Sequence, residues 1–392
     1  MRLLLILVQR KKQNKSFYPG YPNSGVIRLK RLFAGMTAAL LAVILVFSLP
    51  AKAYSAQSAI LMDCTSGRIL YDKQADKQSL IASTTKIMTA LIVCEQCNVL
   101  DRFKIPKEAT GIEGSSMYLQ EGEILTVQEL LYGLMLHSGN DAAVALAIYC
   151  AGTVEGFVQL MNDKAHVLGL KNTHFENPNG LDAQNHYSTA SDLAQLASYA
   201  MSNPIFSRIV STRTVKVGER ILTNHNKLLW QLEGADGIKT GYTRAAGRIL
   251  VSSATRNGRR LVAVTIRDPD DWKDHRCLME QGFQQYTQKQ IIQENEVLGS
   301  VEIAGGELKT VELIATESFS FPLTQDEQPV ILLPLPGFVY APVAEGQNAG
   351  YAQIYLSNQM IGMVQLRYGN TVEQIPQEKM NLWERIFGGS NP

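Results

Sequence analysis

The chain has 392 residues, 45% of them hydrophobic, and its 37 Lys and Arg almost cancel 36 Asp and Glu to leave a net charge of +1. That balance describes a globular protein with a sizeable core, long enough for two or three domains, and gives no basic footprint of the kind nucleic-acid binding needs. The five cysteines are scattered and odd in number, so they make no disulfide framework, and the six histidines show no metal-ligand spacing.

From the N-terminus, Arg28, Lys30 and Arg31 precede an apolar run from Leu32 to Leu49 and then Ala51-Lys52-Ala53. A positive flank, an apolar stretch and an A-x-A site read as an export signal, so residues 1–53 are set apart as an N-terminal extension and signal. The segment before it, from Met1 to about residue 27, does not belong to a standard signal, and Val26 or a neighbour is the expected first residue. Ser58–Asp63 and Arg68–Tyr71 read as two strands joined at Ser66-Gly67.

Ser83-Thr84-Thr85-Lys86 follows, running into Ile87–Val93, which is apolar nearly all round and therefore expected to be a buried helix. Ser83 stands at its N-terminus, where unpaired N–H groups and the helix dipole favour a developing alkoxide. Lys86, three residues on, shares its face. That is nucleophile and base on one turn. Cys94-Glu95-Gln96-Cys97 at the far end reads as small buried residues rather than a redox pair or half a metal site.

A Gly/Ser/Glu-rich loop spans Gly111 to Gly122. Thr126 then opens a helix over Val127–Leu136 that ends at His137-Ser138-Gly139-Asn140, and a second helix starts at Asp141, so the S-x-N triplet lies on a tight junction between helices. Further helices are expected over Thr153–Leu168, closed by Gly169, and from about Ser191 to Met201, stopping before Pro204. Between them lies the turn-rich Asn177–Asp182. Arg248–Thr255 and Arg260–Ile266 flank Asn257-Gly258, a hairpin signal, with Lys239-Thr240-Gly241 on the strand before it. Strands, then helices, then strands predict an α/β catalytic domain over residues 54–285, an antiparallel sheet with helices on both sides. From 290 to 370, short alternating runs broken by Gly-Gly and Pro predict a small all-β domain. In residues 376–392, Met380, Trp383 and Phe387 share a face, which suggests a short amphipathic helix on a membrane surface.

The ordered set S-x-x-K, S-x-N and K-T-G resembles penicillin-binding proteins and β-lactamases. With Asp236-Gly237-Ile238 before K-T-G, the Asn179–Asp182 loop and Gly305-Gly306, the chain from about Tyr54 onward looks like a low-molecular-weight penicillin-binding protein of the serine D-alanyl-D-alanine carboxypeptidase family. The resemblance implies a serine peptidase, needing no cofactor or metal, that removes the terminal D-alanine from peptidoglycan stem peptides ending in D-Ala-D-Ala and is acylated by β-lactams. It would work exported, at the outer face of the bacterial cytoplasmic membrane and cell wall. It implies Ser83 as nucleophile, Lys86 as base and Ser138 as proton relay. Asn140 would bind the substrate amide, Lys239 and Thr240 its carboxylate, and the N–H groups of Ser83 and Tyr242 the oxyanion. Gly241 would let the substrate backbone pair along the strand. One departure stands out: relatives often carry an arginine before K-T-G where this chain has Asn224-His225-Asn226, which leaves His225 as the candidate at that place. The alternatives are a β-lactamase or transpeptidase on the same fold, or a non-catalytic penicillin-binding wall scaffold.

Overall fold

The apolar alternation that marks the first and last strands of the catalytic region puts them in one sheet. In a computed structural model, which describes residues 54–376, β1 (Ser58–Asp63), β2 (Ile69–Lys73), β3 (Ala235–Thr243), β4 (Gly247–Arg256) and β5 (Arg259–Ile266) form an antiparallel sheet in the order β2-β1-β5-β4-β3. The β4–β5 hairpin turns at Asn257 and Gly258, both at positive φ (50° and 77°), as a two-residue turn matched to strand twist requires.

The helices between β2 and β3 carry the site. A single 3-10 turn, Ala82–Thr85, holds Ser83 and leads directly into α1 (Lys86–Gln96). The nucleophile candidate therefore sits on the turn before the α-helix rather than in its first turn. Residues Ile87–Val93 are almost wholly buried, as the all-round apolar sequence requires. Each large side chain there contributes about 1.5–3 kcal/mol by leaving water. Next come α2 (Val127–Leu136), α3 (Asn140–Ala151) and α4 (Val154–Val167). Thr126 caps α2 in a reciprocal box with Glu129, its backbone N–H donating to Glu129 Oε2 at 2.7 Å while Glu129 N–H donates back at 3.2 Å.

The helix expected from about Ser191 ends at Ser202, before Pro204 as expected, but Pro204 does not end the helical region. It occupies the first turn of a further helix, α6 (Pro204–Ser211), capped by Asn203, directly after α5 (Ala190–Ser202). A last catalytic-region helix, α7 (Asp271–Gln285), packs on β5, β4 and β1. With α5 on the same three strands, the sheet has helices on both sides.

The C-terminal region is all β. Thr287–Ile292 pairs with Phe319–Leu323, and six further strands form a sheet around a core of Val301, Val311, Leu313, Ala352, Ile354, Val364 and Leu366. Arg68, just before β2, fastens it to the catalytic region. Its guanidinium lies 4.9 Å from the Tyr286 ring and 5.3 Å from the Phe321 ring, and it donates to Glu327 Oε2 at 3.0 Å and to the Pro322 carbonyl. The expected export signal in residues 1–53 and the expected surface helix after residue 376 lie outside the described residues.

Candidate active site

Lys86 is fully buried and its ammonium nitrogen is surrounded by oxygen. Nζ lies 3.0 Å from Ser83 Oγ, 2.7 Å from Asn140 Oδ1 and 2.5 Å from the Asn179 carbonyl. The two carbonyl oxygens only accept, so in a neutral amine they take both N–H groups and leave the lone pair directed at the serine hydroxyl. Burial, first, and the neighbouring Lys239 charge, second, hold the Lys86 pKa well below its ordinary value, against a smaller opposing pull from Asp141.

The backbone around this pair is tightly constrained. Ala82, just before the serine, has φ 45°, and Ser138 has φ 65°. Such left-handed conformations in non-glycine residues cost roughly 1–3 kcal/mol each and persist only where surrounding contacts impose them. Gly180 (φ +86°) packs so close that a Cβ there would lie 2.0 Å from the Ala82 carbonyl oxygen. A Cβ on Gly241 would lie 3.2 Å from the Ile81 carbonyl and 3.3 Å from the Thr84 nitrogen. The glycine of K-T-G therefore lets β3 approach the serine turn, a reason that stands beside the expected one of making room for a substrate strand.

Alternation along β3 puts Lys239 and Gly241 on its buried face and Thr240 and Tyr242 on the other. Lys239 is 1% exposed, and its Nζ donates to the Thr240 carbonyl at 2.8 Å; burial lowers its pKa to about 7. Thr240, Gly241 and Tyr242 line a cleft of about 300 Å3 together with Ser83, Ser138 and His225. Lys239 thus lies behind the cleft wall, where its charge bears on Lys86.

Asn140 is likewise tied to Lys86. While its Oδ1 accepts from Lys86, its Nδ2 donates to the Glu113 carbonyl at 2.6 Å, so its amide orients the base while keeping a second N–H. Its neighbour Asp141, missed in the sequence, is 1% exposed and accepts from the N–H groups of Met117 (3.0 Å) and Leu119 (3.1 Å) and from Ser116 Oγ (2.7 Å). This holds the Ser115–Leu119 loop beside the cleft. An acid in the first turn of α3 was the available signal.

His186 is a second missed support. Its Nδ1 accepts from the Glu176 N–H at 3.1 Å, so Nε2 carries the proton and donates to Thr85 Oγ1 at 2.7 Å, and burial holds its pKa down at about 4.

His225 lines the cleft but carries no charge at neutral pH. Partial burial, Lys239 and His137 together lower its imidazole to about 4. The cation there is Arg248 of β4, opposite Tyr242 in the register, with its side chain 44% exposed and gripped two-fold by Asp271 at 2.7–3.1 Å. Trp272 stands beside it, 5.8 Å from ring centre to guanidinium carbon. Asp271 is the one acid among the described residues lining the cleft, and Arg248 occupies it.

Comparison with known proteins agrees with this architecture. The D-alanyl-D-alanine carboxypeptidase family model matches residues 46–270, and that of the penicillin-binding protein 5 C-terminal domain matches residues 286–374. The chain is 33% identical to D-alanyl-D-alanine carboxypeptidase DacF of Bacillus subtilis over 76% of its own length and 81% of that protein. It is 35% identical to DacD of Escherichia coli over 76% and 82%. Among solved structures, penicillin-binding protein 5 of Haemophilus influenzae superposes with a TM-score of 0.71 at 30% identity, covering 83% of this chain and all (100%) of that one. The Streptomyces K15 DD-transpeptidase, crystallised as a mutant, does so with 0.57 at 36% identity, covering 59% and 99%. The chain belongs to the D-alanyl-D-alanine carboxypeptidase family of low-molecular-weight penicillin-binding proteins, a serine-type carboxypeptidase domain followed by an all-β domain of the penicillin-binding protein 5 type.

Proposed function

We propose that Ser83 is the nucleophile that releases the terminal D-alanine from peptidoglycan stem peptides ending in D-Ala-D-Ala, and that β-lactams acylate the same oxygen. The observation that carries this is the buried Lys86 amine, held by two carbonyl oxygens and 3.0 Å from Ser83 Oγ. A lysine works as a base only when neutral, and burial beside a second amine favours that form.

In the proposed sequence Lys86 takes the Ser83 proton as Oγ attacks the carbonyl of the penultimate D-alanine. The oxyanion forms against the backbone N–H groups of Ser83 and Tyr242, a reading supported by the close approach of Gly241 to the serine turn. Ser138, across the same cleft, passes a proton to the departing amine. Water then attacks the ester, returning Ser83 and freeing the shortened peptide. Thr240 and Arg248 receive the terminal carboxylate, with Asp271 fixing the guanidinium fork and neutral His225 alongside as a polar wall.

A class A β-lactamase uses a free carboxylate to activate water near the ester, worth roughly a hundred- to ten-thousand-fold. The acid lining this cleft, Asp271, is bound to Arg248, which favours slow release of a penicilloyl group. The kinship to cell-wall carboxypeptidases supports an exported enzyme of the cell envelope, and the peptide partner requires that placement.

Intact-protein mass spectrometry after exposure to a penicillin tests the reading. A stoichiometric adduct on the Ser83 peptide, persisting for minutes, is expected. Rapid multiple turnover of penicillin without an adduct would establish a β-lactamase instead, and neither adduct nor peptidase activity an inert scaffold.

A further inference from the structure

Two thiols that are far apart in sequence meet at the ends of α1 and α3 remote from Ser83. Cys97 closes α1, its N–H donating to the Val93 carbonyl at 3.0 Å, and Cys150 stands in the last turn of α3. Near their N-terminal ends the two helices are joined by the hydrogen bond from Lys86 Nζ to Asn140 Oδ1. About ten residues further along each, roughly 15 Å at 1.5 Å per residue, the thiols face one another. The Cys97 side chain donates to the Cys150 sulfur, and Cys150 Sγ is also 3.8 Å from the amide oxygen of Gln96. Both residues are half-buried, so a small reagent can reach them.

We infer that Cys97 and Cys150 form a disulfide that ties the helix carrying the base to the helix carrying Asn140. The two side chains are already in contact, with Cys150 also held against Gln96, the residue before Cys97, and a disulfide requires such an approach. All five cysteines are free in this structure, as the sequence leads one to expect, and Cys94 is a buried filler at 7% exposure; the bond inferred between Cys97 and Cys150 would form only on oxidation.

The chemistry needs an oxidant, and a low-molecular-weight disulfide suffices. The Cys150 thiolate attacks one sulfur of the reagent, forming a mixed disulfide and expelling one thiolate. Cys97 then loses its proton to solvent and attacks the Cys150 sulfur, expelling the second thiolate. Two protein thiols are oxidised and one reagent disulfide is reduced to two thiols. The hydrogen bond from Cys97 holds Cys150 below the ordinary thiol range, which suits it to the first attack. Burial raises Cys64 to about 11 and Cys94 to about 12, which keeps both unreactive.

The test uses the full chain, purified reduced, incubated with oxidised glutathione, then alkylated and weighed intact. Two of the five cysteines should escape alkylation, with a crosslinked peptide joining Cys97 to Cys150. The oxidised form should melt roughly 4–8 °C higher, while its penicillin acylation rate stays unchanged. In Cys97→Ser, Cys150 should instead keep a single glutathione, having no thiol to resolve it. Alkylation of all the cysteines after oxidation, a crosslink through Cys94 or Cys277, or the same two-thiol loss in Cys97→Ser would each overturn the assignment.

Discussion

Replacing Gly180 by alanine should disable the serine without touching any group that does chemistry. The added Cβ would lie 2.0 Å from the Ala82 carbonyl oxygen and 3.0 Å from the Ser83 nitrogen, whereas ordinary contacts begin near 3.4 Å. Either the loop or the serine turn must therefore retreat by about 1 Å. Both carry the base's geometry, since the Asn179 carbonyl beside Gly180 holds Lys86 Nζ at 2.5 Å. A displacement of about 1 Å at a reacting pair costs on the order of a hundred-fold in rate. The φ of +86° adds about 1–2 kcal/mol of strain for an alanine, which lowers stability without unfolding the domain. The second-order rate constant for acylation by a fluorescent penicillin should fall about a hundred-fold, with circular dichroism reporting a folded protein. Acylation within about threefold of the parent would refute the idea that close approach of this loop sets the serine–lysine geometry.

Lys239→Met removes the charge that presses on Lys86. The Lys86 pKa should rise, and because the base must be neutral the acid limb of kcat/KM against pH should move to higher pH; an unmoved limb would mean Lys239 acts elsewhere. Arg248→Ala should lower kcat/KM roughly ten- to a hundred-fold for a peptide ending in a free carboxylate, the loss of one charge-assisted hydrogen bond, and hardly at all for the C-terminal amide. Equal losses on both substrates would argue for a structural role. Away from the site, Arg259→Met strips the partner from Asp63, which is wholly buried and 2.6 Å from Arg259 Nε. Asp63 keeps the bonds from the Thr65 and Ser66 N–H groups and Ser66 Oγ, so losing its cation should cost up to about 3–5 kcal/mol, readable in urea denaturation, and a change below about 1 kcal/mol would contradict this.

Much of the site was legible because its chemistry needs particular residues at fixed short spacings. Ser83 and Lys86 share one turn, Ser138 and Asn140 one junction, and K-T-G one strand, and the structure brings the three together. What stayed hidden depended on distant segments. The Asn179 carbonyl that holds the base is a backbone atom, which no residue type announces. Arg248 looked like an ordinary strand residue until strand pairing set it opposite Tyr242. Lys239 and Asn140 were recognised, but not the burial of the one or the bonds of the other to Lys86 and the Glu113 carbonyl, which depend on how distant segments pack. The stop before Pro204 was legible, while the helix that Pro204 starts was not, although its locked φ suits a first helical turn where no N–H is needed. The Cys97–Cys150 contact arises only from the side-by-side packing of α1 and α3, to which sequence spacing gives no clue.

The central claim is that a lysine-activated Ser83 hydrolyses a D-Ala-D-Ala bond. Its most direct test is D-alanine release from a synthetic pentapeptide ending in D-Ala-D-Ala, compared among the parent, Ser83→Ala and Lys86→Ala. The parent should release D-alanine catalytically, while both variants, folded by circular dichroism, should release none above background. Their combination should be no worse than either alone, because the two residues act as one unit. Normal turnover by either single variant, or no D-alanine from the parent, would contradict the account.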